Sequence, residues 1–421
     1  MAQAQKGLSH FKKEEMMKEK MKKAFQTLNG GLFEKNDKAD VGNSYTELAK
    51  DGVDLMGWAD PFTPDFCIPK HVLDKAIEVL NDPIGAHYTS PCGNPDLKRA
   101  IAHKLKMKNG LEVDPERNIL ITPGSDAGLF YAIFPFLEAG DEVIIPSPSY
   151  PNNYTDVTLT DAIVIPLLLK EEDGYQIDRE ELESKVTSKT KMIILTHPNN
   201  PTTTVYDMSS LKAIADVCIE RDLILVCDQA FEDFTFENEM ITPASLPGMF
   251  ERTITVFSIS KGMGLSGFRV GYNVCSDVFM DAMLAAAVSV IGTSSTMAQI
   301  AAIEAFKDDR FMDEFKEAYD RRRHKAYEII NSIPNVHMLL PESGFLAWVD
   351  VSALGSSKDI YRYLIKEAKV ATNEGSFYGP GGEGHLRIVL GVYRDDEKVY
   401  AALYRIKDAL MRYGKERHES I

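Results

Sequence analysis

The sequence predicts an α/β fold, with a large domain that holds a mostly parallel, seven-stranded sheet between helices and a smaller α+β domain after it. From about residue 70 onward, short apolar runs alternate with helical patterns. The runs are apolar without interruption, which is typical of strands covered on both faces. A chain of 421 residues, 44% of them hydrophobic, is long enough for a large domain and a second, smaller one.

Each strand of the predicted sheet is a short run rich in β-branched and apolar residues. The seven candidates are Ile119–Thr122, Glu142–Ile145, Ala162–Pro166, Met192–Leu195, Leu223–Asp228, Thr253–Ser258 and Val270–Cys275. Helical patterns lie between several of them, for example at Ser125–Leu137 and Ser209–Arg221. This alternation places helices against the faces of a sheet.

The pattern divides the chain into three segments. Residues 1–45 are charged and helix-forming, and we expect them to form an N-terminal helical arm that lies on a partner subunit. Residues 46–319 form the predicted large domain, whose first residues can pack with the small domain, and residues 320–421 form the small domain. The other predicted elements are helices at Asp277–Ile291, Asp308–Ser332 and Lys358–Lys369 and strands near Phe345–Val351 and Leu386–Leu390.

Composition excludes several classes of function. The net charge is −16, from 47 basic and 63 acidic residues, so nucleic acids and anionic membranes are poor partners. No apolar run is long enough to span a bilayer, and the N-terminus lacks the apolar core of a signal peptide. The five cysteines are scattered and none forms C-x-x-C. We therefore expect a cytoplasmic protein with reduced cysteines and without a metal site.

The most informative segment surrounds Lys261. A strand candidate delivers two hydroxyls, Ser258 and Ser260, together with the lysine, and Arg269 follows eight residues later. A lysine can form an imine with an aldehyde. The hydroxyls and the arginine can hold a phosphate. Pyridoxal 5′-phosphate requires this combination.

The same segment contains glycines at 262, 264 and 267, which match the dinucleotide pattern G-x-G-x-x-G. That fingerprint must open a helix whose N-terminus receives the pyrophosphate. Here the glycines run into a β-branched, strand-like segment instead. A dinucleotide site is therefore disfavoured.

Other polar residues follow strand candidates. Asp228 ends a strand and can pair with the cofactor's ring nitrogen, or it is a strand-end cap. Gly124, Ser125 and Asp126 open a helix and can cradle a phosphate, or Ser125 or Asp126 is an ordinary N-cap. Tyr150 can stack on the pyridine ring, or it is only an aromatic residue in a turn.

Two further residues complete the candidate site. Asn200, in a proline-flanked turn, can donate to the cofactor's phenolic oxygen, although Asn-Pro is also a common turn signal. Arg387 follows a glycine-rich loop and can clamp a substrate carboxylate with two hydrogen bonds, or it forms a surface ion pair.

Taken together, these motifs resemble the class I/II aminotransferases of the aspartate aminotransferase type, which are fold-type I pyridoxal-phosphate enzymes. The resemblance runs from about residue 50 to the end. Its most specific parts are Ser258-Ile-Ser-Lys261, Gly267-Phe-Arg269-Val-Gly271, Asn199-Asn200-Pro201-Thr202 and Gly384-His-Leu-Arg387. It implies a small α+β domain beside the large one.

The resemblance also implies roles for individual residues. Lys261 would be the Schiff-base lysine and proton shuttle, Asp228 would hold the ring nitrogen, and Arg387 would hold the substrate α-carboxylate. Asn200 would contact the phenolic oxygen and Tyr150 would stack on the ring. The residues around the phosphate would be Gly124, Ser125, Asp126, Ser258 and Arg269.

Members of this family are homodimers with shared active sites. Tyr88 matches the tyrosine that reaches the neighbouring subunit's phosphate site, and Ser294 or Ser295 is a second candidate for such a contact. Gly57 matches the glycine near the bound substrate. Trp58, with Tyr150 and Phe231, would make the pocket aromatic.

The implied reaction is transamination between an amino acid and a 2-oxo acid. A β-lyase or an amino-acid decarboxylase on the same scaffold is the alternative, because all of these enzymes need the same anchoring residues. A non-catalytic, pyridoxal-phosphate-binding regulator would need an upstream DNA-binding domain, and the N-terminal arm is too short for one. Ser125 stands where some dicarboxylate-preferring relatives carry lysine, which disfavours an aspartate-specific pocket.

The chain departs from the family at two positions. Thr203 replaces a usual glycine after Asn-Pro-Thr, which would stiffen the turn. Phe231 replaces the tyrosine that the family usually carries three residues after the aspartate and that donates to the cofactor's phenolic oxygen.

We predict from Phe231 that the imine on Lys261 has a raised pKa, because the deprotonated imine loses a hydrogen-bond donor. An absorbance titration of the purified protein measures this value. Dominance of the neutral-imine species at low pH would refute the prediction.

Overall fold

The computed structural model describes residue 20 and residues 48–418. Its strands are β1 (Asp54–Leu55), β2 (Ile119–Thr122), β3 (Glu142–Ser147), β4 (Ile163–Leu168), β5 (Thr190–Thr196), β6 (Ile224–Asp228), β7 (Thr253–Ser258), β8 (Gly271–Val274), β9 (Leu346–Asp350), β10 (Val370–Ala371), β11 (Asn373–Glu374) and β12 (His385–Val389). The arm predicted at residues 1–45 lies outside the described residues, apart from residue 20.

Helices lie between and around these strands. They are α1 (Lys70–Leu80), α2 (Pro95–Lys108), α3 (Pro115–Asn118), α4 (Ser125–Ile133), α5 (Pro151–Leu159), α6 (Arg179–Lys185), α7 (Met208–Glu220), α8 (Asp277–Ala286), α9 (Thr296–Lys307), α10 (Phe311–Ile330), α11 (Ser357–Tyr363) and α12 (Asp396–His418). In the part of the chain that the structure describes, no helix has the length and apolar character needed to cross a bilayer.

The large sheet contains the seven predicted strands, each within two residues of its predicted ends. Their order is β2-β8-β7-β6-β5-β3-β4. Strands β3 to β7 pair in parallel with their neighbours of that set, and β8 is antiparallel to both β2 and β7. The predicted α/β fold with a mostly parallel sheet is therefore confirmed.

Strand β5 shows why the strand sequences are apolar without alternation. Ile193 and Leu195 belong to one apolar cluster, whereas Met192 and Ile194 belong to another. Successive side chains of a strand point to opposite faces, so both faces of this strand are buried.

A second, three-stranded antiparallel sheet has the order β11-β12-β9. Strand β10 lies outside it and pairs in parallel with β1, near the start of the described chain. One apolar cluster joins side chains from both predicted domains, including Ile101, Tyr272, Val349 and Leu403. No gap in the core marks residue 320, and the domain limits remain a prediction.

Three predicted helices end earlier than expected. Pro135 lacks an N–H group, and after Ile133 the chain continues as a 3-10 turn at Phe134–Phe136. Helix α8 is followed by a π-helical turn, Ala287–Ile291, and α11 by another, Leu364–Ala368. The second turn stops at Lys369, whose φ of 55° is left-handed.

Arg322 on helix α10 forms hydrogen bonds to the first residue of α12 and to the segment that precedes it. The side chain of Arg322 is fully buried, and its Nε donates to Asp396 Oδ1 at 2.6 Å. Its two terminal nitrogens donate to four backbone carbonyls in the segment 390–394, at 2.9 to 3.2 Å. This one guanidinium donates to the carbonyls of the buried residues Leu390 and Val392, and a buried carbonyl without a donor is costly.

We predict that Arg322→Met lowers the free energy of unfolding by about 3–5 kcal/mol, because the carboxylate and the carbonyls lose their donor. The matched control is Arg321→Met. Arg321 also contacts Asp396 but its side chain is 56% exposed, so the loss should be under ~1 kcal/mol. Chemical denaturation of both variants measures the difference, and equal losses would contradict the prediction.

Candidate active site

A cavity of about 490 Å³ opens beside the carboxyl ends of β6 and β7. Ligands bind at this edge in open α/β sheets, because loops from several strands converge there. Twelve of the candidate site residues named from the sequence line it. They are Gly57, Trp58, Ser125, Asp126, Tyr150, Asn200, Asp228, Phe231, Ser260, Lys261, Arg269 and Arg387.

Lys261 follows β7, and its Nζ donates to the backbone carbonyl of Ala59. Burial lowers the pKa of this amine to about 8, against the opposing effects of Asp60 and Asp126. A larger fraction of the amine is therefore neutral near neutral pH than in an ordinary lysine. Only the neutral form is a nucleophile.

Asp228 ends β6 and is 3% exposed. Its Oδ1 accepts a hydrogen bond from the Ala230 N–H at 3.1 Å, so it also forms the local turn contact of a strand-end cap. Burial raises the pKa of its carboxyl to about 7, while Ala230 and Lys261 oppose that rise. Because burial disfavours the ionised form of Asp228, a cation in the cavity would stabilise its carboxylate.

Another part of the cavity can bind an anion. Helix α4 begins after Gly124, whose φ of 83° strains any residue with a side chain. An added Cβ would lie 2.5 Å from Arg269 Nη2, so the guanidinium would have to move. The first N–H groups of α4 and the Arg269 guanidinium therefore occupy one corner, where a phosphate is favoured. Arg269 itself has a left-handed φ of 51°.

Asp126 does not act as an N-cap, and neither does Ser125. The N-cap of α4 is Gly124, which offers no side-chain acceptor, so the alternative assignment of an ordinary cap was wrong. Asp126 instead accepts hydrogen bonds from the Tyr150 hydroxyl at 2.9 Å and from Asn152 at 3.1 Å. Its other oxygen lies 3.7 Å from Arg269 Nη2.

Arg387 is not a surface ion pair. It is 5% exposed, and its nitrogens donate to the Gly57 carbonyl at 2.8 Å and to Asn200 Oδ1 at 3.1 Å. Asn373 Oδ1 accepts from the same guanidinium at 2.7 and 3.1 Å. The arginine is thus held by neutral partners, which leaves its charge for a ligand.

The structure shows what surrounds Phe231 and Thr203, the two residues that depart from the family pattern. Phe231 packs against Phe345, with ring centroids 5.4 Å apart, and also lines the cavity. Thr203 has a φ of 67°, the left-handed conformation that favours glycine. Its carbonyl accepts a hydrogen bond from Ser343 at 2.7 Å, which helps to hold that conformation.

Some predicted residues do not line the cavity. Ser258 Oγ accepts from the Ser260 N–H at 3.1 Å, and Ser260 is the hydroxyl that faces the cavity. Tyr88 is 95% exposed. Ser294 donates to the Arg269 carbonyl of its own chain at 2.8 Å, and Ser295 caps α9.

Residues to which sequence analysis gave no role also line the cavity: Ala59, Asp60, Ala230, Ser266 and Gly267. Asp60 accepts hydrogen bonds from Thr63 at 2.7 Å and from Ser266 at 2.5 Å. No periodicity marks a residue in such a loop. Asp60 lies three residues after Gly57, and this proximity to a predicted substrate-binding residue is the signal that could have identified it.

The donor set fits pyridoxal 5′-phosphate. A lysine with a lowered pKa can bond to its aldehyde, and the buried carboxylate of Asp228 matches a protonated ring nitrogen. The corner formed by Arg269 and the start of α4 matches its phosphate.

Comparison with known proteins agrees with this geometry. The family described as aminotransferase class I and II matches residues 60–406. A probable aspartate/prephenate aminotransferase of Aquifex aeolicus is 32% identical over 373 residues, 86% of this chain and 93% of that protein. The aromatic-amino-acid aminotransferase 2 of Thermococcus litoralis is 33% identical over 352 residues, 82% and 90% of the two chains.

Solved structures show the same likeness. The aromatic aminotransferase from Pyrococcus horikoshii superposes with a TM-score of 0.81 at 32% identity, covering 89% of this chain and 99% of that one. The aspartate aminotransferase from Thermus thermophilus with maleate gives 0.83 at 28% identity, covering 92% and 99%. The chain therefore belongs to the class I and II aminotransferases, and it is a pyridoxal-5′-phosphate-dependent transaminase of fold type I.

Proposed function

We propose that Lys261, Asp228 and Arg387 carry an amino-group transfer between an amino acid with a neutral side chain and a 2-oxo acid. The supporting observation is that a buried lysine, a buried aspartate and a buried arginine line one cavity. Bound pyridoxal phosphate supplies an aldehyde that accepts the amino group and a ring that withdraws electrons from the substrate Cα.

Lys261 does the proton transfer in this proposal. Its amine removes the proton from the substrate Cα as a general base and later returns a proton as a general acid. A pKa near 8 suits both roles, because neither protonation state is strongly disfavoured at neutral pH.

Arg387 positions the substrate by its α-carboxylate. Two parallel N–H donors of a guanidinium match the two oxygens of a carboxylate. Four of the five N–H groups of Arg387 already donate within the protein, so the substrate would displace one of these contacts. Gly57, Asn200 and Asn373 fix the plane of the guanidinium before the substrate arrives. Since Asn200 Oδ1 accepts from Arg387, its Nδ2 remains the donor for the cofactor's phenolic oxygen.

The remaining predicted residues would orient the cofactor. Asp228 would hold the ring nitrogen. Tyr150, whose hydroxyl donates to Asp126, would lie against the ring. The phosphate would be held by Gly124, Ser125, Asp126, Ser258 and Arg269, with Ser260 as a further hydroxyl in the cavity wall.

We also propose a cytoplasmic homodimer in which Tyr88 reaches the partner's phosphate site. Tyr88 is 95% exposed although its side chain is large and partly apolar, which favours a contact outside its own chain. The five cysteines are all free, as a reducing compartment favours.

The substrate side chain meets an acidic wall. Among residues 48–418, the lysines and arginines that line the cavity are Lys261, Arg269 and Arg387, and each has a role with the cofactor or the α-carboxylate. Asp60 and Asp126 lie on the same cavity surface. A second substrate carboxylate would be repelled there, whereas Trp58 and Phe231 offer apolar contact.

The test is to add single amino acids, without any oxo acid, to the purified holoenzyme and follow cofactor absorbance. We expect phenylalanine or tyrosine to convert the cofactor to pyridoxamine phosphate, and aspartate to do so more slowly. Lys261→Ala should slow conversion by more than ~10²-fold. Lys307→Ala, at a 62% exposed side chain, is the control and should be unaffected.

The outcomes separate the alternatives. A cofactor band that persists while pyruvate, ammonia or carbon dioxide is released would contradict transamination and favour a lyase or a decarboxylase. Faster conversion by aspartate than by phenylalanine would contradict only the proposed substrate class.

A second prediction concerns the buried carboxyl of Asp228 in cofactor-free protein. Its folded pKa of about 7 lies above the ordinary 3.8, so the folded state binds more protons than the unfolded state between these values. Stability is then lost as the pH rises through that interval. Cofactor-free Asp228→Asn should therefore unfold at a higher temperature than the wild type at pH 8, with a difference that narrows toward pH 5.

The control for this prediction is Asp408→Asn, at an exposed position of α12, which should not alter the pH profile. Added pyridoxal phosphate should raise the unfolding temperature of the wild type more than that of Asp228→Asn. Identical pH profiles for Asp228→Asn and the wild type would show that Asp228 is ionised without penalty.

A further inference from the structure

A row of three side chains lies on one face of the small antiparallel sheet. His385 on β12 is directly opposite Asp350 on β9, and Asp350 is in turn bridged to His337. Residues directly opposite each other in antiparallel strands share a face, with Cβ atoms about 5 Å apart. The register therefore sets two imidazoles on either side of one carboxylate.

Glu171 reaches this row from a different part of the fold. It begins the 3-10 turn Glu171–Asp173 that follows β4 of the large sheet. Its Oε1 lies 2.6 Å from Nε2 of His337. The ligand atoms of Glu171, Asp350 and His385 all lie within 4.8 Å of one another.

Each of these three side chains is oriented by a further contact. Glu171 Oε2 accepts from the Tyr175 hydroxyl at 3.1 Å, and Asp350 Oδ1 accepts from the Ser352 N–H at 2.7 Å. His385 Nδ1 lies 3.2 Å from the Glu383 carbonyl, which can only accept. Nδ1 therefore carries a proton, and in the neutral ring the lone pair available to a metal is on Nε2.

The ring of His385 is also held in its plane. It stacks on Trp348 with centroids 4.8 Å apart and an angle of 5° between the planes. Ligands with their remaining polar atoms already bonded, and a histidine that donates its other N–H to a carbonyl, are the usual outer contacts of protein metal sites.

We propose that Glu171, Asp350 and His385 form a binding site for a divalent transition-metal ion of the Zn²⁺ type. Imidazole nitrogens and carboxylate oxygens are both zinc ligands, and water would take the fourth position. His337 is a positioning residue, because its ring is bonded to Glu171. Ligand atoms in a tetrahedral zinc site are about 3.4 Å apart, so the group closes by roughly 1 Å through side-chain rotation.

The site would connect the two sheets close to the substrate-binding arginine. Arg387 lies two residues beyond His385 on β12 and so points to the same face. A metal ion bonded to Glu171 and to β12 ties that strand to the large sheet. This link to substrate binding rests on the proposed role of Arg387, whereas the metal site does not.

The test is calorimetric titration of the EDTA-treated, dialysed holoenzyme with Zn²⁺, and with Mg²⁺ as a comparison. We expect one Zn²⁺ per chain and no comparable binding of Mg²⁺, which prefers an all-oxygen shell. Glu171→Gln and Asp350→Asn should each weaken Zn²⁺ binding at least ~10-fold. The matched control, Glu172→Gln, changes the exposed neighbour in the same turn and should bind like the wild type.

Absence of Zn²⁺ binding, or equal binding by Glu171→Gln, Asp350→Asn and the wild type, overturns the proposal. Cofactor absorbance and unfolding temperature without metal show whether each variant is folded. A second probe, Co²⁺, reports nitrogen ligation through its visible bands, which His385→Gln should shift or abolish. Because none of these measurements requires turnover, a failed metal site and a failed transaminase assignment are distinguishable.

Discussion

The structure is organised around two charges that are buried side by side. Asp228 ends strand β6, and Lys261 follows the neighbouring parallel strand β7. Burial raises the pKa of the aspartate and lowers the pKa of the lysine, so it favours the neutral form of both side chains. Removing an ionisable group from water is costly unless a partner compensates for it. A cofactor with a cationic ring nitrogen and an aldehyde would compensate both groups: the nitrogen would pair with the carboxylate of Asp228, and the aldehyde would bond to the amine of Lys261. The apolar strands and the helices on both faces of the sheet hold these two residues at fixed positions beside the cavity.

Much of the large sheet and of the cofactor site could be predicted from the sequence because the signals are local. Each strand is one short apolar run, and Ser258, Lys261 and Arg269 lie within twelve residues of one another. Asp228 and Asn200 directly follow or end strands, so the topology alone brings them to the same edge. The place of Gly57 came from family resemblance, and its role stays a prediction.

Other features depend on contacts between distant segments and have no local signal. Asn373 orients Arg387 from a neighbouring strand, and Asp60 enters the cavity from a loop. The row formed by His337, Asp350 and His385 exists only through strand register, with Glu171 added from far away in sequence. Helix ends were misjudged where a proline or a π-helical turn interrupted a helical pattern, since periodicity does not report hydrogen-bond registry.

The short pair of β1 and β10 has a consequence for the way this chain can be divided. The backbone of residues 54–62 hydrogen-bonds to Lys369, Val389 and Gly391, and the Asp54 carboxylate accepts from Tyr393 and Arg405. A piece cut from residue 320 onward would lack its first strand and would leave two side-chain donors without their acceptor. The predicted small domain would thus need residues 54–62 as well as residues 320–421, and it could not be exchanged between relatives as one continuous segment. Its packing would therefore have to wait for α12, which is synthesised long after β1.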